Sequence, residues 1–156
     1  MIVVGIDPGQ KGGMVANRYG EIISTRKMPV IKFDGYSILD YQAIAHYLHD
    51  MQPDHVVIEK VHSMPGQGVK SMFSFGMGFG GLLGVCAALG LPLTLVRPQV
   101  WQKRVCGGID KDAGKKRGIL YCKQRFPQCE PLHSHDGLAD AACMTVWFYQ
   151  AENHEK

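Results

Sequence analysis

No two cysteines of this chain stand in a C-x-x-C arrangement, although it has five: Cys86, Cys106, Cys122, Cys129 and Cys143. An odd number without that spacing argues against a disulfide framework and a zinc knuckle, and points to a reducing, cytoplasmic setting. There is no G-x-S-x-G and no evident Cys–His pairing, so a protein nucleophile finds no support. The glycines after Pro8 do not make G-x-x-x-x-G-K-[ST], which excludes a phosphate-cradling P-loop. Repeats, low-complexity tracts and composition breaks are missing too, and residues 1–156 are expected to form one domain. Asp7 interrupts the apolar N-terminus too early for a secretory leader.

Charge is missing from one long stretch. Between Lys70 and Arg97 no residue is charged, which is enough to span a bilayer, and Gly76, Gly80 and Gly84 stand at G-x-x-x-G spacing. Six glycines, two serines and Pro92 dilute its hydrophobicity, and Gly90–Leu91–Pro92 divides it into a helix and a strand. A membrane span is therefore not expected. Glycines inside a helix cost stability, so something is expected to approach its backbone closely, either the sheet or a second subunit. Net charge is +3 with histidines neutral. That is compatible with a polyanionic partner without demanding one.

What is present reads as alternating strands and helices. Ile2–Ile6 is an apolar run ended by Asp7. Strands at 14–16 and 21–25 follow through tight turns, which predicts a meander. Residues 32–36 read as a polar loop and 37–51 as an amphipathic helix stopped by Pro53. His55–Ile58 is a second buried-type strand, ended by Glu59. A loop over 60–70, a glycine-rich helix over 71–89, a strand over 91–96 and a short helix over 98–103 come next. A basic helix is expected over 112–126, and a last helix with Ser134 as its N-cap.

The last helix is apolar almost all round, yet it opens with Asp136 and Asp140, which share a face at i, i+4. Acids in a first turn favour the helix dipole, and a turn-initiating Asp before Pro-Gly accounts for Asp7 alone. The combination asks for more. If the strands ending in Asp7 and Glu59 are parallel neighbours, both acids leave the sheet at its carboxyl end, where sites of open α/β sheets form. Four convergent carboxylates need a cation, and hard oxygen ligands suit Mg²⁺ or Mn²⁺. Two such ions roughly 3.5–4 Å apart can activate water and stabilise the leaving oxygen of a phosphodiester.

Ile6–Asp7–Pro8–Gly9, Val57–Ile58–Glu59 and Asp136–Gly137–Leu138–Ala139–Asp140–Ala141, in this order, resemble RuvC-type Holliday-junction resolvases of the ribonuclease H-like superfamily. The likeness extends to shorter phage and prophage members with a Pro-x-x-Trp-x-Lys stretch, here Pro98 to Lys103. It implies an α/β fold with a mixed five-stranded sheet flanked by helices, and a homodimer that nicks opposed strands of a four-way DNA junction. The implied reaction is Mg²⁺-dependent and leaves a 5′-phosphate and a 3′-hydroxyl. Asp7, Glu59 and Asp140 match the family's metal-binding acids. The fourth position departs: the family commonly spaces its last two ligands three apart and sometimes uses His, whereas here Gly137 stands three back and Asp136 four back. Asp136 is the expected fourth ligand, with His133 and His135 as substitutes. The 60–70 loop corresponds to the one that enters the junction, which puts Met64, Gln67, Lys70 and Phe73 near DNA. Core packing is the plainer reading of Phe73. Lys103, Lys115, Lys116 and Arg117 are expected near phosphates. Alternatives are a junction-binding module that does not cut, and a nuclease acting on RNA–DNA hybrids.

Overall fold

Strand β1 (Ile2–Asp7) is a β-branched run with buried residues at four successive positions, as befits a strand covered on both faces. It pairs antiparallel with β2 (Gly13–Arg18), which pairs antiparallel with β3 (Glu21–Lys27), the expected meander. The computed structural model describes residues 1–60 and 68–153.

A difference from expectation follows at once. Residues read as a loop and as the first turn of a helix form a hairpin, β4 (Val30–Phe33) and β5 (Tyr36–Leu39). Its turn is Asp34–Gly35, with φ of +46° and +76°. Positive φ at both central residues is what the right-handed twist of a two-residue hairpin selects, and Asp-Gly is well suited to it. Helix α1 therefore starts late, at Tyr41–Met51, capped by Asp40, whose side chain accepts from the Ala43 N–H at 2.9 Å. Such a cap contributes about 1 kcal/mol.

β6 (His55–Glu59) lies parallel to β1, and β7 (Leu93–Val96) lies parallel to β6. The main sheet has the order β3-β2-β1-β6-β7, mixed and five-stranded. α2 (Val69–Ala88) connects β6 to β7. The chain then runs through α3 (Pro98–Val105), a 3-10 segment (Lys111–Lys116), α4 (Arg117–Arg125), a second 3-10 segment (Glu130–His133) and α5 (Asp136–Glu152). The basic helix expected over 112–126 is thus split: Gly114, at φ +53° and ψ −127°, breaks it, and Lys115 and Lys116 belong to the 3-10 segment.

Strand alternation sorts the core into two layers. Val4, Ile6, Val56 and Ile58 pack toward α1 and α2 with Ile44, Leu48, Leu82 and Cys86. Val3 and Val57 pack on the other side against α3, α4 and α5, with Trp101, Cys122, Leu138 and Ala142. Gly5 shares the second face, and a β-carbon there would collide with the Ala141 carbonyl oxygen. α5 therefore lies directly on β1. A buried bond from the Asn17 side-chain amide to Thr145 Oγ1, 2.8 Å, fixes α5 along β2. Losing one partner would strand the other at a cost of about 1–3 kcal/mol.

The glycines of α2 face two ways. Gly78 lies against Leu39 and Gly81 against the Tyr41 ring. Gly76, Gly80 and Gly84 meet nothing. Among the described residues α2 is the one helix long and apolar enough to cross a membrane, and its buried stripe, Gly78, Leu82 and Cys86, packs on the sheet.

Candidate metal and DNA-cleavage site

The period of two that sorts the core also aims the acids. Asp7 lies two residues beyond Gly5, and Glu59 two beyond Val57, so both point to the α5 side. Ile6 and Ile58 are register partners in the parallel ladder, so Asp7 and Glu59 leave adjacent strands side by side. α5 supplies the other two from its first turns, Asp136 at its start and Asp140 one turn on. All four carboxylates line one cavity of about 580 Å³. The N-cap of α5 is His135 rather than Ser134: its Nδ1 accepts from the Leu138 N–H at 3.2 Å.

The electrostatics are those of crowded, desolvated anions. Burial pushes the Asp7 carboxyl up to about 7, helped by the charges of Glu59 and Asp136 and opposed by the Gly9 N–H. Burial likewise pushes Asp140 up to about 8, reinforced by Asp7, Glu59 and Asp136. Glu59 is raised by burial and held back by the indole N–H of Trp101, which donates to its Oε2 at 2.9 Å. Among the described residues no three acidic, His or Cys side chains are already gathered tightly enough to grip an ion. The donor set is all carboxylate oxygen, which suits Mg²⁺ or Mn²⁺ and not a thiophilic metal. The residues fit a divalent cation.

Two glycines make room for this. A β-carbon on Gly137 would lie 2.6 Å from Gly12 Cα and 2.8 Å from Asp7 Oδ2. No side chain fits there, and the acid on the cavity wall next to it is Asp136, one residue earlier. A β-carbon on Gly118 would lie 2.5 Å from Asp140 Oδ1. Neither histidine offered as a substitute is well placed to ligate. His133 Nε2 is bonded to the Phe126 carbonyl at 3.0 Å. His135 lines the cavity, but its capping role needs the Nδ1 lone pair, which puts the proton on Nε2.

The expected DNA-contacting residues are distributed unevenly. Arg117 lines the carboxylate cavity, and its Nη2 donates to the Cys106 carbonyl at 2.6 Å. Lys103 lies in an adjoining depression with Gln102 and Arg117. Lys116 is exposed and lines neither. The Lys115 side chain, like Met64 and Gln67, lies outside the described residues. Lys70 is away from the acids, with Nζ 5.3 Å from the Tyr36 ring centroid on the hairpin. Phe73 is not core: it is 73% exposed, beside Phe33 and Tyr36 in a groove between α2 and the hairpin. Sequence reasoning missed Lys11 and Gln102, both on the cavity wall, and the bond from Trp101. Trp101 alone carried a signal, because a buried indole N–H must find an acceptor.

No protein-family model matches the chain. The crossover junction endodeoxyribonuclease RuvC of Nitratidesulfovibrio vulgaris (strain DP4) is 26% identical over 151 residues, 90% of this chain and 88% of that protein. Among solved structures, Thermus thermophilus RuvC in complex with a Holliday junction substrate superposes with a TM-score of 0.69 at 16% identity, over 97% of this chain and 96% of that one. The fowlpox virus Holliday junction resolvase gives 0.55 at 16% identity, over 97% and 99%. Yeast mitochondrial Ydc2, also a Holliday junction resolvase, gives 0.56 at 15%, over 97% and 80%. At these identities the structural neighbours speak for the fold, a ribonuclease H-like mixed sheet. Shared architecture, sequence likeness along nine-tenths of the chain and the acids at the ends of β1, β6 and α5 agree in making the chain similar to RuvC.

Proposed function

We propose that this protein is a metal-dependent, structure-selective endodeoxyribonuclease that resolves four-way DNA junctions by paired nicks, with residues 1–156 acting as a single nuclease domain. One observation carries the reading: Asp7, Glu59, Asp136 and Asp140 line a single cavity, where burial and mutual repulsion hold Asp7 and Asp140 far above the usual carboxylate range. A divalent ion pair, Mg²⁺ or Mn²⁺, would supply an activated water for in-line attack on the phosphodiester and charge to stabilise the departing 3′-oxygen. Asp7, Glu59, Asp136 and Asp140 would hold and space those ions. Gly12, Gly118 and Gly137 leave the backbone close enough for that grouping. Lys11 and Arg117, on the same wall, offset the negative charge that an arriving phosphate brings. No side-chain nucleophile is required, and the products carry a 5′-phosphate and a 3′-hydroxyl.

Paired nicking needs two sites. The uncharged outer face of α2, with Gly76, Gly80 and Gly84 open, is where we place the contact of a homodimer. The deciding assay incubates purified protein with labelled four-way junctions, flaps, linear duplex and RNA–DNA hybrid, in Mg²⁺ and in EDTA. Symmetric cuts in the junction alone, lost in EDTA and in Asp140→Asn, are expected. Binding without cutting would leave a junction-binding module, and cutting confined to the hybrid would leave a hybrid nuclease.

A further inference from the structure

We propose that Trp101 is a positioning residue for the candidate metal site: it holds one oxygen of Glu59 and leaves the other to meet a divalent cation. This rests on the reading of the four acids as an ion site. Glu59 stands at the end of β6 with three rotatable side-chain bonds, and nothing in the strand itself fixes where its carboxylate turns. Trp101 does. Its ring is fully buried in the α5-side core, and its Nε1–H donates to Glu59 Oε2 at 2.9 Å. An indole N–H donates only and cannot bind metal, so its one polar service is to fix an acceptor.

The local sequence explains the placement. Pro98 opens α3, and Trp101 follows one turn later, buried beneath it. Pro98 and Gln102 flank Trp101 on the helix and line the cavity. α3 is thus docked against the site by the same turn that delivers the indole. With Oε2 engaged, Oε1 is the oxygen that would be left without a protein partner to meet a cation. Hydrogen-bond partners of metal ligands of this kind set affinity by about 10–100-fold when removed.

The test uses Mn²⁺ as the probe. The chain has two tryptophans, Trp101 and Trp147, so Trp147→Phe leaves Trp101 as the sole indole emitter. Mn²⁺ is paramagnetic and quenches an emitter that touches its ligand shell. In Trp147→Phe protein, Mn²⁺ should quench the emission in a saturable way, in step with Mn²⁺ uptake read by electron paramagnetic resonance. Trp101→Phe keeps most of the ring volume and removes the donor. Its Mn²⁺ dissociation constant should rise about tenfold or more in protein shown to be folded by circular dichroism. In cleavage assays the loss should be largely recovered at high Mn²⁺, because the ligands themselves remain. Unchanged Mn²⁺ affinity in folded Trp101→Phe would overturn the positioning role while leaving the ion site standing. If that variant does not fold, Mn²⁺ uptake without quenching in Trp147→Phe protein overturns it instead. Wild-type protein that takes up no Mn²⁺ at these carboxylates would overturn the ion site and this inference together.

Discussion

Asp140→Asn should make the protein more stable, by an amount that grows as pH rises above about 4. Asp140 is raised from 3.8 to about 8 in the folded protein. The folded state therefore holds its proton where the unfolded chain has released it, so the unfolded state binds fewer protons and stability falls as pH rises. The loss begins near the unfolded value and is complete near the folded one. At about 1.36 kcal/mol per pH unit, the ceiling for Asp140 alone is about 5–6 kcal/mol. Asp7 is raised as well, by burial and by the charges of Glu59 and Asp136, and its own charge adds to the Asp140 shift, so the two are not additive. We expect about half the ceiling, about 2–3 kcal/mol, to be recovered by Asp140→Asn at pH 8 in EDTA. In a chain of this size that is about 5–10 °C in Tm. At pH 4 the variant and wild type should nearly match, because Asp140 is then protonated in the folded state and near its midpoint in the unfolded one, where little of the penalty has built up. Ten millimolar Mg²⁺ at pH 8 should raise the wild-type Tm and leave the variant's nearly unmoved, since an ion that binds only the folded state stabilises it by mass action. Thermal melts at pH 4, 6 and 8, with EDTA or Mg²⁺, supply every number. A variant no more stable than wild type at pH 8 in EDTA would refute the account of desolvated, mutually repelling carboxylates.

Asp136→Asn should fold normally, lose cutting by at least about 100-fold, and bind junction DNA as well or slightly better, because less negative charge then faces the phosphates; normal cutting in a single-turnover assay would remove Asp136 from the ligand set. Gly137→Ala should lower stability by about 1–3 kcal/mol and abolish cutting, since its β-carbon would crowd Gly12 and the Asp7 carboxylate; an active, stable variant in melting and cleavage assays would contradict that fit. Gly80→Leu should leave the protomer's melting nearly unchanged and shift sedimentation toward monomer, because its β-carbon meets nothing within the protomer; a variant that sediments like a wild-type dimer would place the contact elsewhere. Arg117→Ala should reduce the slope of log junction affinity against log salt by about 1; an unchanged slope in fluorescence anisotropy would leave Arg117 a structural ligand of the Cys106 carbonyl.

The main sheet was legible because its signals are strong and local. Apolar runs ending at Asp7 and Glu59 mark two buried strands, and the helical pattern between them marks a parallel crossover. The hairpin was not read, although Asp34–Gly35 announces it, because Val30–Phe33 and Tyr36–Leu39 are only four residues each and alternate weakly. Their side chains are mostly exposed, so there is little pattern for burial to impress. The break at Gly114 was hidden by the strong basic and helix-forming composition around it. Residue type alone leaves Phe73 open between a DNA contact and core packing; α2 turns its core stripe through Gly78, Leu82 and Cys86 and leaves Phe73 outside, which removes the core reading.

At the site, the acids could be found from sequence because each sits where an element begins or ends, and fold topology then brings those ends together. What the residue string could not supply was the reason for the four-residue spacing on α5. Counting from Asp140, the three-back position is closed by Gly12 and by the Asp7 carboxylate itself, a contact between residues 130 apart in the chain. A side chain there would displace the acid it was meant to assist. Moving the carboxylate one residue earlier puts it at the first position of α5, exposed and free to turn toward the cavity, while His135 takes over the cap. With Asp136 as the proposed ligand, capping and ligation fall to neighbouring residues rather than competing for one. That division of labour predicts separable losses: His135→Ala should cost about 1 kcal/mol of stability in melting experiments, with cutting largely retained at a temperature where the protein is folded. Loss of cutting equal to that of Asp136→Asn, in folded protein, would show that His135 serves the ion as well as the helix.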